Sequence, residues 1–366
     1  MKIGILGSRG IPNHYGGFEQ FAEIVSGIWA SQGHEVYVYC SHDHPYGKGD
    51  LGMVHRILKF DPEFKLGTPG QFIYDANCII DARKRGFDIL LQLGYTSSAI
   101  WHWMMPKNTV LITNMDGLEW KRTKFSPLVR RAIRWFESLA AKHGGHLVAD
   151  SVGIQDYLIQ TYGKESTFIA YGASPVKENL PTHNLRKFDL EPNTYNLIIA
   201  RLEPENHVEM ILEGIRLSGQ NRKTIVVGST STPAGIRWKS MFTESNFLFA
   251  GSIYDKSILD ELRQHCYLYY HGHSVGGTNP SLLEAMAAGS LICANDNPFN
   301  RSVLEEDGLY FSSADQVAAY QIETIIENRS KIIQNLKEKI SQKYTWEKIA
   351  NDYLTCFQYA AKSSGK

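Results

Sequence analysis

Several absences narrow the possibilities before any motif is considered. No apolar run in the 366 residues reaches the roughly 18 that a membrane-spanning helix needs. The opening MKIGILGSRG is an apolar stretch broken by glycine and without a small-residue cleavage site, so it reads as a first β-strand rather than a leader. Cysteine is scarce: Cys40, Cys78, Cys266, Cys293 and Cys356 are odd in number and widely spaced, with no C-x-x-C. That argues against a disulfide framework or a thiolate metal site and fits reduced, buried thiols in a cytoplasmic protein. Neither sign of charge is in excess, with 38 Lys+Arg against 38 Asp+Glu, which argues against a general nucleic-acid binder. There is no solenoid-type repeat and no low-complexity tract.

What is present is ordinary globular material, 43% hydrophobic and 21% charged, in a chain long enough for two domains at about 150 residues each. Short apolar runs alternate with longer helical patterns, the signature of an α/β fold with parallel sheets wrapped by helices. One cycle runs through KIGILGS, EVYVYC, DILLQLG, TVLITNM and HLVADS, and a second through YNLIIAR, KTIVVGS, NFLFAGS, CYLYYHG and SLICAND. Between them, residues 174–193 carry Pro175, Pro181 and Pro192 with little periodicity and read as a connection. The expected domains are 1–174 and 175–344, both doubly wound, with a final helix at 345–361 long enough to pack back on the first.

In such sheets ligands sit outside the carboxyl ends of the strands, so the loops after the strands hold the candidates. GSRGIPNHYGGFEQ follows the first strand and leads into a helix near Gly16 or Gly17, with glycines and helix amides suited to phosphate. Its spacing is neither a dinucleotide fingerprint nor a P-loop. DGLEWKR places Asp116 and Glu119 at the end of a central strand, where a carboxylate can deprotonate or orient an attacking hydroxyl; the competing reading is a capping Asp in an Asp-Gly turn. The helix after it sets Leu128, Ile133, Phe136 and Leu139 toward one side and Arg130, Arg131, Arg134 and Lys142 elsewhere, just after Lys121, Arg122 and Lys124. It reads either as a basic helix for an anionic membrane surface or as a core-facing helix with a solvated face.

In the second cycle, Arg201 ends a strand ahead of a helix near Asn206, and an arginine there suits a diphosphate. HGHSVGGTNPSLLEAMAAG then offers an anion site at the amides of Gly276, Gly277, Thr278 and Asn279, with Asn279 as N-cap, Pro280 in the first turn and Gly289 as C-terminal cap. Glu284, one turn inside, is placed to reach vicinal ribose hydroxyls.

Taken together, GSRGIPNHYGGFE, DGLEWKR, ARLEPEN and SVGGTNPSLLEAMAAG resemble the retaining, nucleotide-sugar-dependent glycosyltransferases of the GT-B fold, over nearly the whole chain. The combination looks most like a bacterial subgroup of rhamnosyltransferases for capsule, O-antigen and other surface polysaccharides. The resemblance implies two Rossmann-like domains facing a cleft, acceptor on the first and donor on the second. It also implies a hexosyltransferase that uses dTDP-rhamnose as substrate and requires no cofactor or metal, in agreement with the lack of D-x-D. On this reading Asp116 is the acceptor base and Arg201 stabilises the leaving group; Arg9, Gly16, Gly17, Gly276, Gly277, Thr278, Asn279 and Glu284 bind donor, and Glu119, Arg130, Arg131 and Arg134 face acceptor or membrane. Partners would be the nucleotide-sugar donor, a lipid-diphosphate-linked saccharide and the inner face of the cell membrane, with no nucleic acid. Two positions depart from the family pattern: Gly276 stands where a first glutamate usually contacts the transferred sugar, and Asn206 where a lysine usually joins the arginine, which makes Arg9 a candidate to share the diphosphate. The rival readings are an NAD-dependent dehydrogenase and a nonenzymatic sugar-nucleotide or membrane-surface binding module.

Overall fold

A computed structural model describes residues 1–115, 117–122, 125–322 and 328–364. The chain forms two compact units, one of Met1–Lys121, Phe125–Gly172 and Trp346–Lys366, the other of Ala173–Thr345 with Arg122–Lys124. In the first, β1 (Lys2–Leu6), β2 (Glu35–Ser41), β3 (His55–Lys59), β4 (Ile89–Leu93), β5 (Val110–Asn114), β6 (His146–Ala149) and β7 (Thr167–Phe168) make a sheet ordered β3-β2-β1-β4-β5-β6-β7. Every pairing is parallel, β1 and β4 meeting with Ile3 opposite Ile89 and Leu6 opposite Gln92. Its helices up to Gly172 are α1 (Gly17–Ser31), α2 (Glu63–Leu66), α3 (Thr68–Ala82), α4 (Pro127–His143) and α5 (Val152–Tyr162).

The second unit repeats the plan. Strands β8 (Tyr195–Ile199), β9 (Lys223–Val227), β10 (Phe247–Gly251), β11 (Leu268–His271), β12 (Ile292–Asn295) and β13 (Leu309–Phe311) form a parallel sheet ordered β10-β9-β8-β11-β12-β13. Its helices are α6 (Val208–Leu217), α7 (Pro233–Met241), α8 (Lys256–His265), α9 (Pro280–Ala288), α10 (Pro298–Leu304), α11 (Ala314–Ile322) and α12 (Arg329–Lys343). Strands of parallel sheets are covered on both faces, which is why runs such as ILLQL of β4 are apolar and buried throughout. The cores follow from that: Leu6, Tyr39, Phe87 and Leu90 in the first unit, Ile198, Leu212, Val226, Tyr270 and Phe311 in the second. Each fully buried side chain of this kind contributes about 1.5–3 kcal/mol. The last helix, α13 (Trp346–Ser363), belongs to the first unit: Trp29 of α1 donates its indole N–H to the Ala350 carbonyl at 2.9 Å, and Phe21 meets the Tyr353 ring at 5.1 Å.

The strands expected from the apolar runs are present, in two Rossmann-like α/β domains. Two features differ from expectation. Residues 174–193 are not a free connection but part of the second unit. Buried Glu261 accepts from the Asn184 backbone at 2.7 Å, its side-chain amide at 2.8 Å and the Leu185 backbone at 3.2 Å, while Leu185 and Leu190 enter the core. Proline removes helical periodicity there, and one carboxylate supplies the anchoring that periodicity does not. The other concerns α4: Ile133 is buried, but Leu128 is 78% exposed, with Val129 and Trp135 also exposed. Leu128 lies in the first turn, after the Ser126 cap and Pro127, on the side bearing Arg131. Among the described residues no helix is long and apolar enough to cross a membrane.

Candidate functional site

In the second unit the chain runs outward from β8 through β9 to β10 and returns to β11 on the other side of β8, so the strand order reverses between β8 and β11. In open α/β sheets ligands bind outside the carboxyl ends of such a pair. Arg201, just past β8, is exposed. The helix expected near Asn206 begins at Val208; a 3₁₀ turn at Pro204–Asn206 precedes it and ends at His207, whose φ of 48° resets the chain for α6. Asn206 is buried and donates its side-chain amide to the Arg201 carbonyl at 2.7 Å while its Oδ1 meets His273 Nδ1 at 2.9 Å.

The loop after β11 is gripped by its neighbours. Ser274 donates its backbone N–H and hydroxyl to the Glu205 carbonyl at 3.2 and 2.8 Å. From the loop after β12, Asn297 and Asn300 both donate to the His273 carbonyl, at 3.0 and 2.9 Å. The approach is close enough that a Cβ on Gly272 would overlap the Asn206 carbonyl oxygen. Gly276 takes φ 126°, a region that favours glycine. Burial holds His271 and His273 far below the ordinary imidazole range, at about 3 and about 4, with arginine charges that include Arg201 adding to the effect at His273.

Helix α9 starts as its caps dictate, with Asn279 accepting from the Ser281 N–H at 2.9 Å, Pro280 first in the helix and Gly289 in the left-handed region at the end. The Asn279 carbonyl also takes the N–H groups of Leu282 and Leu283. The N–H groups of the first turn of α9 are therefore taken within the helix itself. Thr278 is buried and Asn279 half-buried. Glu284 is half-buried and its Oε2 lies 2.5 Å from Nη2 of Arg263. Arg263, on α8, is 1% exposed and also reaches Asp260 at 3.4 Å and Ser281 at 3.5 Å. A guanidinium wedged between two carboxylates fixes the Glu284 rotamer; neither Arg263 nor the histidines stood out in the sequence, although H-G-H ahead of Gly276–Gly277 is a signal for the latter.

The first unit has a corresponding reversal between β1 and β4, built otherwise. Gly7, at φ 86°, lets the chain turn where a Cβ would overlap the Leu93 carbonyl. Arg9 follows, with one edge of its guanidinium paired bidentately with Glu63 at 2.9 and 2.6 Å and its face 3.8 Å from the centre of the Tyr15 ring. Gly16 is the N-cap of α1 and Gly17 its first residue, with the Gly17 carbonyl taken by the Tyr171 hydroxyl. Nearby Asp75 is buried and accepts from Ser97 at 2.6 Å; burial raises its carboxyl to about 7. Buried Glu137 of α4 accepts from Tyr95, Tyr157 and Tyr162 at 2.8, 2.6 and 2.7 Å, and the Tyr95 hydroxyl also lies 3.3 Å from the Gly117 carbonyl.

Asp116 and Lys124 lie outside the described residues. Glu119 is half-exposed in a single 3₁₀ turn. On α4, Arg131 and Arg134 are exposed and Arg130 half-buried, with Arg134 5.0 Å from the centre of the Trp120 ring. The cysteines are all buried and unpaired. Among the described residues no group of three or more His, Cys, Asp or Glu side chains is placed to hold a metal ion.

Residues 184–343 match the family model described as Glycosyl transferases group 1, and residues 88–174 match a Domain of unknown function (DUF1972). No curated protein sequence matches the chain significantly. Among solved structures, sucrose-phosphate synthase from Thermosynechococcus elongatus superimposes with a TM-score of 0.78 at 15% identity over 99% of both chains. HepE from Anabaena in complex with UDP gives 0.71 at 16% identity, covering 98% of this chain and 100% of the other. WaaG, described as a glycosyltransferase involved in lipopolysaccharide biosynthesis, gives 0.71 at 14% identity over 96% and 99%. At such identities the structures establish the GT-B fold, and the family match falls on the unit that carries β8 and β11. The protein is a glycosyltransferase, with a group 1 domain at residues 184–343. Neither the dehydrogenase nor the nonenzymatic reading is favoured.

Proposed function

We propose that this enzyme moves L-rhamnose from dTDP-rhamnose, with retention of configuration, onto a lipid-diphosphate-linked saccharide in bacterial surface-polysaccharide synthesis. The observation that carries the donor side is that Arg201 follows β8 and the Gly276–Thr278 segment follows its sheet neighbour β11, with Glu284 on α9 directly after. In this reading Arg201 and the loop amides take the diphosphate and Glu284, oriented by Arg263, takes the ribose hydroxyls. A UDP complex of the similarly folded HepE supports a nucleotide donor, and the motifs quoted above support the rhamnosyl subgroup.

Breaking the bond from anomeric carbon to phosphate oxygen builds positive charge on the sugar and negative charge on the diphosphate. Fixed amides and a guanidinium stabilise the departing charge without reorganising. The acceptor hydroxyl then attacks the same face from which the diphosphate leaves, within an ion pair, and Asp116 takes its proton, with Glu119 on the acceptor side. Asp116→Asn should leave donor affinity within about twofold while transfer falls at least about a hundredfold, the scale of general-base catalysis. Transfer at the wild-type rate would make Asp116 a turn residue.

Membrane binding is the remaining element. The exposed Leu128, Val129 and Trp135 beside Arg131 and Arg134 give α4 an apolar and cationic face suited to the inner, anionic leaflet. Each basic residue near such a surface contributes about 1 kcal/mol. Sedimentation with anionic vesicles, reversed by high salt and reduced in a variant with Arg130, Arg131 and Arg134 all changed to Gln, is the expected result; equal sedimentation with neutral vesicles would contradict it. Reaction with dTDP-rhamnose and a polyprenyl-diphosphate saccharide, with the product's anomeric configuration read by NMR, tests the whole reading. Release of dTDP with a product whose anomeric configuration is the same as the donor's supports the proposal, an inverted product contradicts retention, and turnover only with another nucleotide sugar reassigns the donor.

A further inference from the structure

The two positions that depart from the family pattern, Gly276 and Asn206, meet at one imidazole. Because the Asn206 amide nitrogen donates to the Arg201 carbonyl at 2.7 Å, its Oδ1 is the atom facing His273 Nδ1 at 2.9 Å. An amide oxygen only accepts, so the network assigns the imidazole proton to Nδ1 and leaves a lone pair on Nε2. Burial, then the charges of Arg122 and Arg201, hold the ring neutral against the opposing pull of Glu205 and the Val275 carbonyl. Nε2 stands beside Gly276, where a Cβ would come within 3.3 Å of it. The backbone of this histidine is held by Asn297 and Asn300, so the ring is fixed in place before any ligand arrives.

A lone pair is repelled by phosphate oxygens and attracted to a hydrogen-bond donor. Of the groups in a nucleotide sugar that follow the nucleoside, the ionised diphosphate offers no such donor and the sugar ring offers hydroxyls. We propose that His273 Nε2 accepts a hydrogen bond from a hydroxyl of the transferred sugar, which makes His273 a specificity-determining residue, with Gly276 kept free of a side chain so that the ring can approach. The inference rests on the donor reading above. It turns two apparent losses into one device: Asn206 sets the tautomer, and Gly276 opens the space in front of it. An uncharged acceptor also binds a sugar hydroxyl without adding a negative charge beside the diphosphate.

Asn and Gln separate the two imidazole nitrogens, because the Asn amide reproduces the position of Nδ1 and the Gln amide that of Nε2. Calorimetric titration with dTDP and dTDP-rhamnose, and in parallel with UDP and UDP-glucose, is the test, applied to wild type, His273→Asn and His273→Gln. The expected result is nucleoside-diphosphate affinity within about twofold of wild type in His273→Asn, about tenfold weaker binding of the matching nucleotide sugar, and recovery of most of that loss in His273→Gln. Equal losses for diphosphate and nucleotide sugar would make His273 a diphosphate ligand and overturn the proposal, as would no loss for either. If wild type binds none of the four compounds, the donor reading itself fails; if wild type binds and His273→Asn matches it, only the role of His273 does.

Discussion

Each unit places an arginine just beyond the first strand of its sheet, at the point where the strand order reverses, and the two are used differently. Arg9 is stacked on Tyr15 and paired with Glu63, whereas Arg201 is exposed and its carbonyl accepts from the Asn206 side-chain amide. The first six strands of the two sheets follow the same order, the first sheet adding β7 at its edge, so the difference lies in what the following loops contribute. In the first unit, carboxylates of Glu19 and Glu63 surround the Arg9 segment. In the second, Arg201 is followed by Glu203, Glu205 and Asn206, with Arg201 and Glu205 both acting on His273, and the pair of buried Arg263 with half-buried Glu284 joins α8 to α9. A shared fold thus sets where a site forms, and loop chemistry decides whether it accepts an anion.

The largest expected effects come from the buried charges beneath each site. Arg263→Ala removes a partner of Glu284, while Asp260 keeps Lys256 at 2.6 Å, and should cost about 3 kcal/mol of stability by denaturant unfolding, with loss of nucleotide affinity in the fraction that folds. Glu137→Ala leaves the hydroxyls of Tyr95, Tyr157 and Tyr162 without their acceptor and should cost about 3 kcal/mol while leaving nucleotide affinity unchanged. Loss of nucleotide affinity in Glu137→Ala at full folding would break the division of labour between the units.

A smaller contrast is expected with pH. Asp75 is raised to about 7 in the folded protein, so it binds a proton there that the unfolded chain releases near 4; its contribution is complete below about 4 and is lost as pH rises through 7. Asp61 and Arg9 are the charged groups that act on it. Asp75→Asn removes this dependence and should gain in melting temperature over wild type between pH 5 and 8, the range being set by that value. The histidines of the second unit act in the opposite sense. His271 and His273 stay neutral to about pH 3 and 4 while the unfolded chain takes up protons near 6.5, so their contribution is complete above 6.5 and falls as pH drops below it. The charges around this pair are Arg122, Arg201 and Glu205. A melting temperature of wild type and Asp75→Asn that runs in parallel across this range would remove the contrast.

Much of this was legible in the sequence because buried parallel strands are continuous apolar runs and helix caps have definite residue types. Asn279, Pro280 and Gly289 bound α9 as their chemistry requires. The strands that escaped notice, β3, β7 and β13, are the short edge members of their sheets, where one side lacks a neighbour and HRILK or TF carries little apolar signal. The side-chain partnerships were not legible for a different reason. Arg263 lies 21 positions before Glu284, and Asn206 lies 67 before His273; packing of α8 against α9 brings the first pair together and the return of β11 beside β8 the second. Exposed Leu128 shows the same limit, since helical spacing gives a face but not what covers it.

The central claim is that the nucleotide sugar is held by the loops of the second unit. Calorimetric titration of dTDP and UDP into wild type, Arg201→Ala and Arg9→Ala tests it directly. Loss of a charged hydrogen-bond partner should weaken binding about ten- to a hundredfold in Arg201→Ala, while Arg9→Ala, having removed only an internal pair, should keep wild-type affinity. Unchanged affinity in Arg201→Ala, with the loss appearing in Arg9→Ala instead, would contradict the account.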